Sequence, residues 1–444
     1  MSVVAEKDVA LRADRRRRAA GTAGETARAT ATVVFCGGGT GGHLTPGISV
    51  ARALVAIRPT ARVVFLLTGR AAEAPFLAIG GRTQTLTAAP GTHSRGRLCH
   101  NAHPSPAACG GDAQPMPAVP GQFERHTIPA VRWPRTALDL ARFPLRWVKV
   151  RYRGARWIAR LAPDAAVGLG GYGQYGPIRA AQRRGVPTIL LEQNAVPGKA
   201  NRLLSRRASG VCCQWAAALG LFPAGAPVRV MGNPIRETML NGSAAAAHAR
   251  FGLQPARRTL LVLGGSQGSR RLNQAMAVAV RRWPALKADW QVIHQSGPGD
   301  GETLRAAYAG LDCPHFVAPF LDELEMADAV AAADLVVSRA GATTLAELTA
   351  TGRPAVLFPL PARDRHQQRN AEVLGRAGAA HIVTDTGDAE RNGTDISEIL
   401  CHVCEHPGIL SEMARGSRRL GVRDAAGRVA IYIARRAAER RGRR

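Results

Sequence analysis

The sequence predicts an α/β protein made of two doubly wound parallel sheets, and three observations point there. Short apolar runs alternate with segments of helical spacing, the pattern of buried strands joined by crossover helices. Two glycine-rich turns, "CGGGTGGH" from Cys36 and "LGGSQGS" from Leu263, each follow such a run and precede a helix. They lie far apart in a chain of 444 residues, a length that suggests two or three domains at ~100–200 residues each. Each turn therefore opens its own sheet. Ligands of such sheets bind at the carboxyl ends of the strands, so two sheets facing one another form a cleft between the turns.

The elements follow in order. Residues 1–30 contain "RADRRRR" with no apolar core behind it, which is not a secretory signal and reads as a disordered basic tail. "ATVVF" is the first strand, "GISVARALVAI" the first helix and "ARVVFLLTG" the second strand. Residues 88–122 are rich in Pro, Gly, Ala and His without periodicity, and read as an insertion or a disordered loop. The stretch from Arg132 to Arg160 is basic and aromatic and predicts one or two helices. "AAVGLGGYG" and "PTILLEQN" are further strands, and "VRVMGNPIR" closes the first half. "RTLLVL", "WQVIHQSG", "ADLVVSRAG" and "PAVLFPL" continue the alternation in the second. The expected division is a tail at 1–30, a first domain at 31–237, a second at 238–425 and a basic helix or tail at 426–444.

The apolar fraction of 46% is enough for real cores, and the net charge is +28. Lysine occurs only at Lys7, Lys149, Lys199 and Lys287, so nearly all of the basic charge is arginine. Such a surface attracts nucleic acid, anionic lipid or phosphorylated ligands. No stretch approaches the ~20 apolar residues of a membrane-spanning helix. Eight cysteines in a chain this long do not suggest a disulfide framework. Cys36 and Cys313 read as buried thiols, and "CHVCEH" (Cys401 to His406) is half a zinc site without a regular second half.

A glycine turn between strand and helix lets backbone N–H groups approach an anion at a helix N-terminus. One such turn can be mere tight packing; two suggest a diphosphate held between domains. Neither ends in the Lys-Ser/Thr of a P-loop. "VVFLLTGR" ends in arginine rather than in the acidic residue of a nicotinamide-dinucleotide site. His43 closes the first turn at a helix start. There its pKa should be lowered, leaving a neutral imidazole able to act as a general base, or one that only caps backbone groups. Glu347, on the helix after "SRAGATT", can accept both hydroxyls of a ribose or serve as a cap. "RDRHQQRNA" gathers Asp364, His366, Gln367, Gln368 and Asn370, whose amides suit sugar hydroxyls and equally suit a solvated loop.

The motifs "GGGTGGHLTPGISVARAL", "GVPTILLEQNAVPGKANRLLSRRA", "GNPIR", "VLGGSQGSRRLN", "PFLDEL", "ADLVVSRAGATTLAELTATGRPAVLFPLP" and "DRHQQRNA", in this order over roughly residues 32–385, resemble the MurG family. Its members add N-acetylglucosamine to lipid I to make lipid II. The resemblance implies a GT-B glycosyltransferase fold of two Rossmann-like domains, the first for the acceptor and the second for UDP-N-acetylglucosamine. It implies that Thr40, Gly41 and Gly42 line the cleft near the transferred sugar and the acceptor diphosphate, with His43 as base. Asn194 and Arg236 would contact the donor, Ser266 a phosphate, and the backbone of Leu321 the uracil. Ala342, Thr343, Thr344, Leu345, Ala346 and Glu347 would form the nucleotide loop, with Gln367 and Asn370 on the sugar. No cofactor is implied. The chain has no D-x-D, so no metal is expected; helix ends and arginines would stabilise the leaving diphosphate. The implied partners are UDP-N-acetylglucosamine, lipid I, an anionic membrane surface on the cytoplasmic face and other cell-wall synthesis proteins, with no nucleic acid. "GGYGQYGP" is one residue longer than the family's usual form and lacks its serine. Two rivals stand beside this reading: a related transferase with a diacylglycerol acceptor, and a non-enzymatic basic module for nucleotide or nucleic acid.

Overall fold

The computed structural model describes residues 30–38, 41–68, 123–128, 136–265, 268–362 and 364–443. The expected tail (but for its last residue) and the 88–122 insertion lie outside the described residues. The first sheet comprises Thr32–Cys36 (β1), Arg62–Leu67 (β2), Glu124–Thr127 (β3), Ala165–Gly168 (β4), Thr188–Glu192 (β5), Gly210–Cys213 (β6) and Val228–Val230 (β7). Its order is β3-β2-β1-β4-β5-β6-β7, parallel throughout, with Val33 opposite both Val63 and Ala165. Helices Gly41–Ile57 (α1), Ala137–Leu161 (α2), Tyr175–Arg183 (α3) and Lys199–Ser205 (α4) connect these strands.

After helix Ala244–Phe251 (α5) the second sheet begins: Arg258–Leu263 (β8), Trp290–Gln295 (β9), His315–Ala318 (β10), Ala333–Ser338 (β11), Ala355–Leu357 (β12) and Ala380–Ile382 (β13). It too is parallel, in order β10-β9-β8-β11-β12-β13. Its helices are Arg270–Ala279 (α6), Ala285–Asp289 (α7), Gly301–Ala309 (α8), Glu323–Ala332 (α9), Ala342–Thr351 (α10), His366–Arg376 (α11), Ala389–Glu405 (α12) and Pro407–Leu420 (α13). β1 and β8 are interior strands of their sheets, so each glycine turn leaves a middle strand and points into the space above its sheet.

The central strands form where β-branched and apolar residues run together and are covered on both faces. Val33 and Phe35 pack with Leu44, Val50 and Leu54 on one side, Val34 and Cys36 with Ile158 and Ile178 on the other. Helix starts are fixed by side chains: Ser269 accepts from Leu272 N–H at 3.4 Å, and Asp322 and Glu325 form a reciprocal capping box on α9. The last helix, Ala425–Gly442 (α14), returns to the first domain. Its Val429, Ala430, Ile433 and Ala437 are buried with Val33 and Leu54, and Tyr432 Oη donates to Ser209 O at 2.6 Å. The segment expected as a basic helix or tail is thus a helix that packs its apolar side on the first domain. Cys36 and Cys313 are buried.

Candidate active site between the two sheets

The first glycine turn is built by close approach. Gly37 and Gly38 have φ of 118° and 111°, conformations that side chains rarely adopt. A Cβ on Gly37 would lie 2.8 Å from Gly170 O, so this turn packs directly on the "GLGGY" turn after β4. His43 lies in the first turn of α1, and a Cβ on Gly170 would fall on the His43 ring, 2.9 Å from Nε2. Gly170, at φ 109°, is therefore the floor on which the imidazole rests. Thr40 lies outside the described residues.

The second domain meets this turn. Thr343 Oγ1, at the start of α10, donates to Gly42 O at 3.1 Å. Gly341 caps α10 without a side-chain hydrogen bond, so no capping side chain takes the first N–H groups of this helix. Leu345 and Ala346 are buried beneath them. Gln367, in the first turn of α11, accepts from Leu360 N–H through Oε1 at 2.9 Å, which fixes the loop after β12. Leu321 has its side chain in the second domain's core. Ser266 lies outside the described residues. Gly268, the next described residue, has φ 71°, and a Cβ there would stand 2.7 Å from Ser296 O.

Other expected ligand contacts are engaged with one another in this structure. Arg236 donates to Glu347 Oε1 from Nη2 at 2.9 Å and from Nε at 3.2 Å. Burial pushes the Glu347 carboxyl above the usual carboxylate range, opposed by the Arg236 guanidinium beside it, and Glu323 adds to the rise. Asn370 is only 1% exposed. Its Oδ1 accepts from Ala195 N–H at 2.8 Å, and its Nδ2 donates to Asn194 Oδ1 at 3.2 Å and to Ala340 O at 3.4 Å. Asn194 and Asn370 thus clasp the domains together at the cleft floor.

Sequence reasoning missed what holds these residues. Glu192 is buried at the end of β5. Its Oε1 accepts from Asn194 N–H at 3.0 Å and Nδ2 at 3.3 Å, and its Oε2 from Gly198 N–H and Asn201 Nδ2, both at 2.9 Å. The "EQN" motif therefore divides the work: the glutamate shapes the turn and the asparagine faces the partner domain. Below the second glycine turn, Arg339 bonds Ser269 Oγ at 2.8 Å, Phe358 O at 2.9 Å and Asp385 Oδ2 at 3.2 Å. Nothing in the spacing of Arg339 and Asp385 signals their pairing. Among the described residues no group of three His, Cys, Asp or Glu side chains gathers as a metal would require.

Both domains have counterparts among known proteins. Residues 259–429 match the glycosyltransferase family 28 C-terminal domain, and residues 113–213 its N-terminal domain. The chain is similar to the UDP-N-acetylglucosamine–N-acetylmuramyl-(pentapeptide) pyrophosphoryl-undecaprenol N-acetylglucosamine transferases of Thermodesulfovibrio yellowstonii and Myxococcus xanthus. Identity to the first is 32%, covering 90% of this chain and 97% of the relative. To the second it is 34%, covering 89% and 90%. Among solved structures, Acinetobacter baumannii MurG superposes with a TM-score of 0.63 at 27% identity, over 91% of this chain and 99% of that one. A UDP-GlcNAc 2-epimerase from Neisseria meningitidis, 12% identical with a TM-score of 0.58 over 92% of this chain and all of its own, shares the fold alone.

Proposed function

We propose the following reaction for this chain, which belongs to the MurG family of glycosyltransferases: it transfers N-acetylglucosamine from UDP-N-acetylglucosamine to lipid I and so forms lipid II. The observation that carries the reading is the meeting of the first glycine turn with the start of α10. His43 on Gly170, Gly42 under Thr343, and the start of α10 lie at one place, above the interior strands of both sheets.

The second domain binds the donor. The N–H groups of Ala342 to Thr344 and the Ser266 turn take the diphosphate, with the helix dipoles adding positive potential. Glu347 faces the ribose and Arg236 moves between Glu347 and the nucleotide. The small side chain of Ala346 keeps the loop close to the base, and Leu321 offers its backbone to the uracil. Gln367 holds sugar hydroxyls, with Asn370 behind it. The acceptor diphosphate lies on the backbone at Gly41 and Gly42 beside Thr40. His43 takes the proton of the muramoyl 4-hydroxyl as that oxygen attacks the sugar's anomeric carbon. The bond from that carbon to the diphosphate breaks, and UDP leaves with the electron pair. One displacement inverts the centre and gives a β-linked product. With no D-x-D in the chain, the leaving charge falls to helix termini and arginines.

The acceptor's polyprenyl tail places the reaction at a membrane surface. Among the described residues no helix is long and apolar enough to cross a membrane. On α2, Val148 and Tyr152 are 62% and 63% exposed one turn apart. They border a cavity of about 420 Å³ between α2 and α3 that is also lined by Arg151, Arg179, Arg183 and Arg184. Apolar groups ringed by cations suit peripheral attachment to an anionic leaflet. Trp157 does not join them: its ring stacks on His126 at 3.8 Å and packs against the first domain's core. The remaining aromatics of this stretch, Trp133, Phe143 and Trp147, have side chains outside the described residues.

Purified protein given labelled UDP-N-acetylglucosamine should convert lipid I to lipid II and leave diacylglycerol untouched. Transfer to diacylglycerol, or none to lipid I, overturns the reading.

A further inference from the structure

Gln174 lies in the segment "GGYGQYGP" that follows β4. The structure buries it fully, at the end of the short turn Tyr172–Gln174 and at the N-cap of α3. Both ends of its amide are used. Oε1 accepts from Gly170 N–H at 3.1 Å, and Nε2 donates to Asn201 Oδ1 at 2.8 Å. Its neighbours are glycines that leave it room: a Cβ on Gly168 would fall on Oε1, and one on Gly37 would stand 3.3 Å from the Gln174 Cβ.

Each partner leads to the chemistry by a different route. Gly170 is the floor of His43. Asn201 Nδ2 donates to Glu192 Oε2 at 2.9 Å, Glu192 holds Asn194, and Asn194 accepts from Asn370 of the second domain at 3.2 Å. A glutamine that only filled the core would not need one acceptor and one donor at these two points. Without them, Gly170 N–H and Asn201 Oδ1 are left buried and unpaired, which a loop of this length relieves by shifting.

We propose that Gln174 is a positioning residue for the transfer reaction: it keeps the Gly170 peptide, and with it the seat of His43, in register with the clasp that Asn194 and Asn370 form between the domains. It touches no substrate. The inference rests on the reading of the cleft as the transfer site and of His43 as its base.

The test compares wild type, Gln174→Met and Gln174→Glu at a temperature where each is folded by circular dichroism. Methionine keeps the volume and loses both bonds; glutamate keeps the acceptor and loses the donor. Small displacements at a reacting centre cost up to ~100-fold, so kcat for lipid II formation should fall roughly 10- to 100-fold in both variants. The affinity for UDP, which is bound by the other domain, should stay near wild type. A residue of purely structural value would lower the melting temperature and leave the kcat of folded protein alone. Wild-type kcat in a folded Gln174→Met overturns the proposal. If that variant loses its native spectrum, wild-type kcat in the isosteric Gln174→Glu does so. Absence of transfer by wild type is a different result, which removes the reaction itself.

Discussion

At the scale of single residues, the site is a set of polar groups held by partners distant in sequence. Arg236 and Glu347 are each expected at the nucleotide, and that much is legible, since "GNPIR" and the helix after "SRAGATT" stand out in the sequence. Their mutual ion pair is not legible, because the residues are 111 positions apart and only the fold brings them together. The pair has a consequence. Arg236 is half-buried and held charged by Glu347, so a nucleotide that displaces it from Glu347 meets a preformed cation. Glu347→Ala should weaken UDP binding about 10- to 100-fold, the range of a charge-assisted hydrogen bond lost in a buried site. Isothermal titration checks this, and an unchanged affinity in a folded variant removes Glu347 from the ribose. Asn370→Ala should act differently. It opens the clasp to Ala195 and Asn194, so kcat should drop more than UDP affinity does.

At the scale of elements, central strands and helix starts are legible and edge strands are not. β1 and β8 read from "TVVFC" and "RTLLVL" because both faces are buried and the chemistry of burial is visible in composition. β3, with sequence "ERHT", is an edge strand whose polar side chains find local partners: Glu124 pairs with Arg62 and with His126. No periodicity marks it. The "HQSG" stretch is legible as a strand end, but not the network it supports. His294, wholly buried on β9, has Asn273 Oδ1 at 3.1 Å from Nε2 and Tyr308 Oη at 3.0 Å from Nδ1. Asn273 in turn donates to Ser296 O at 2.8 Å, next to the glycine turn. This geometry suits a neutral ring that donates from Nε2 and accepts at Nδ1. Burial pushes its pKa from the ordinary 6.5 down to about 3. The unfolded chain therefore takes up a proton below about pH 6.5 that the folded chain refuses. This group's contribution is fully present above that pH and is lost as the pH falls toward 3, at a slope of about 1.4 kcal/mol per pH unit. Urea midpoints across this range should show the slope in wild type and lose it in His294→Gln. The same slope in both would place the proton uptake elsewhere.

At the scale of the whole molecule, two sheets of like topology share one cleft, and the chain's last helix closes back on the first domain. The fold class is legible from two glycine turns after apolar runs; the return of α14 is not, since its arginines mask four buried apolar positions. The polar contacts across the cleft include Thr343 to Gly42, Asn370 to Ala195 and Asn194, and an exposed pair between Arg52 and Glu323 at 3.8 Å, which adds little. The high net charge acts at this scale too. Binding to vesicles should rise with anionic lipid and fall with salt, and should drop when Tyr152 and Arg151 are both replaced by serine; equal binding to neutral vesicles contradicts attachment through α2. The central claim is a division of labour, with proton removal in the first domain and donor binding in the second. It is tested most directly by measuring lipid II turnover and UDP-N-acetylglucosamine affinity together in wild type and His43→Ala. Loss of the base should lower turnover ~10²–10⁴-fold while donor affinity stays close to wild type. Turnover near wild type, or donor affinity lost along with turnover, would contradict it.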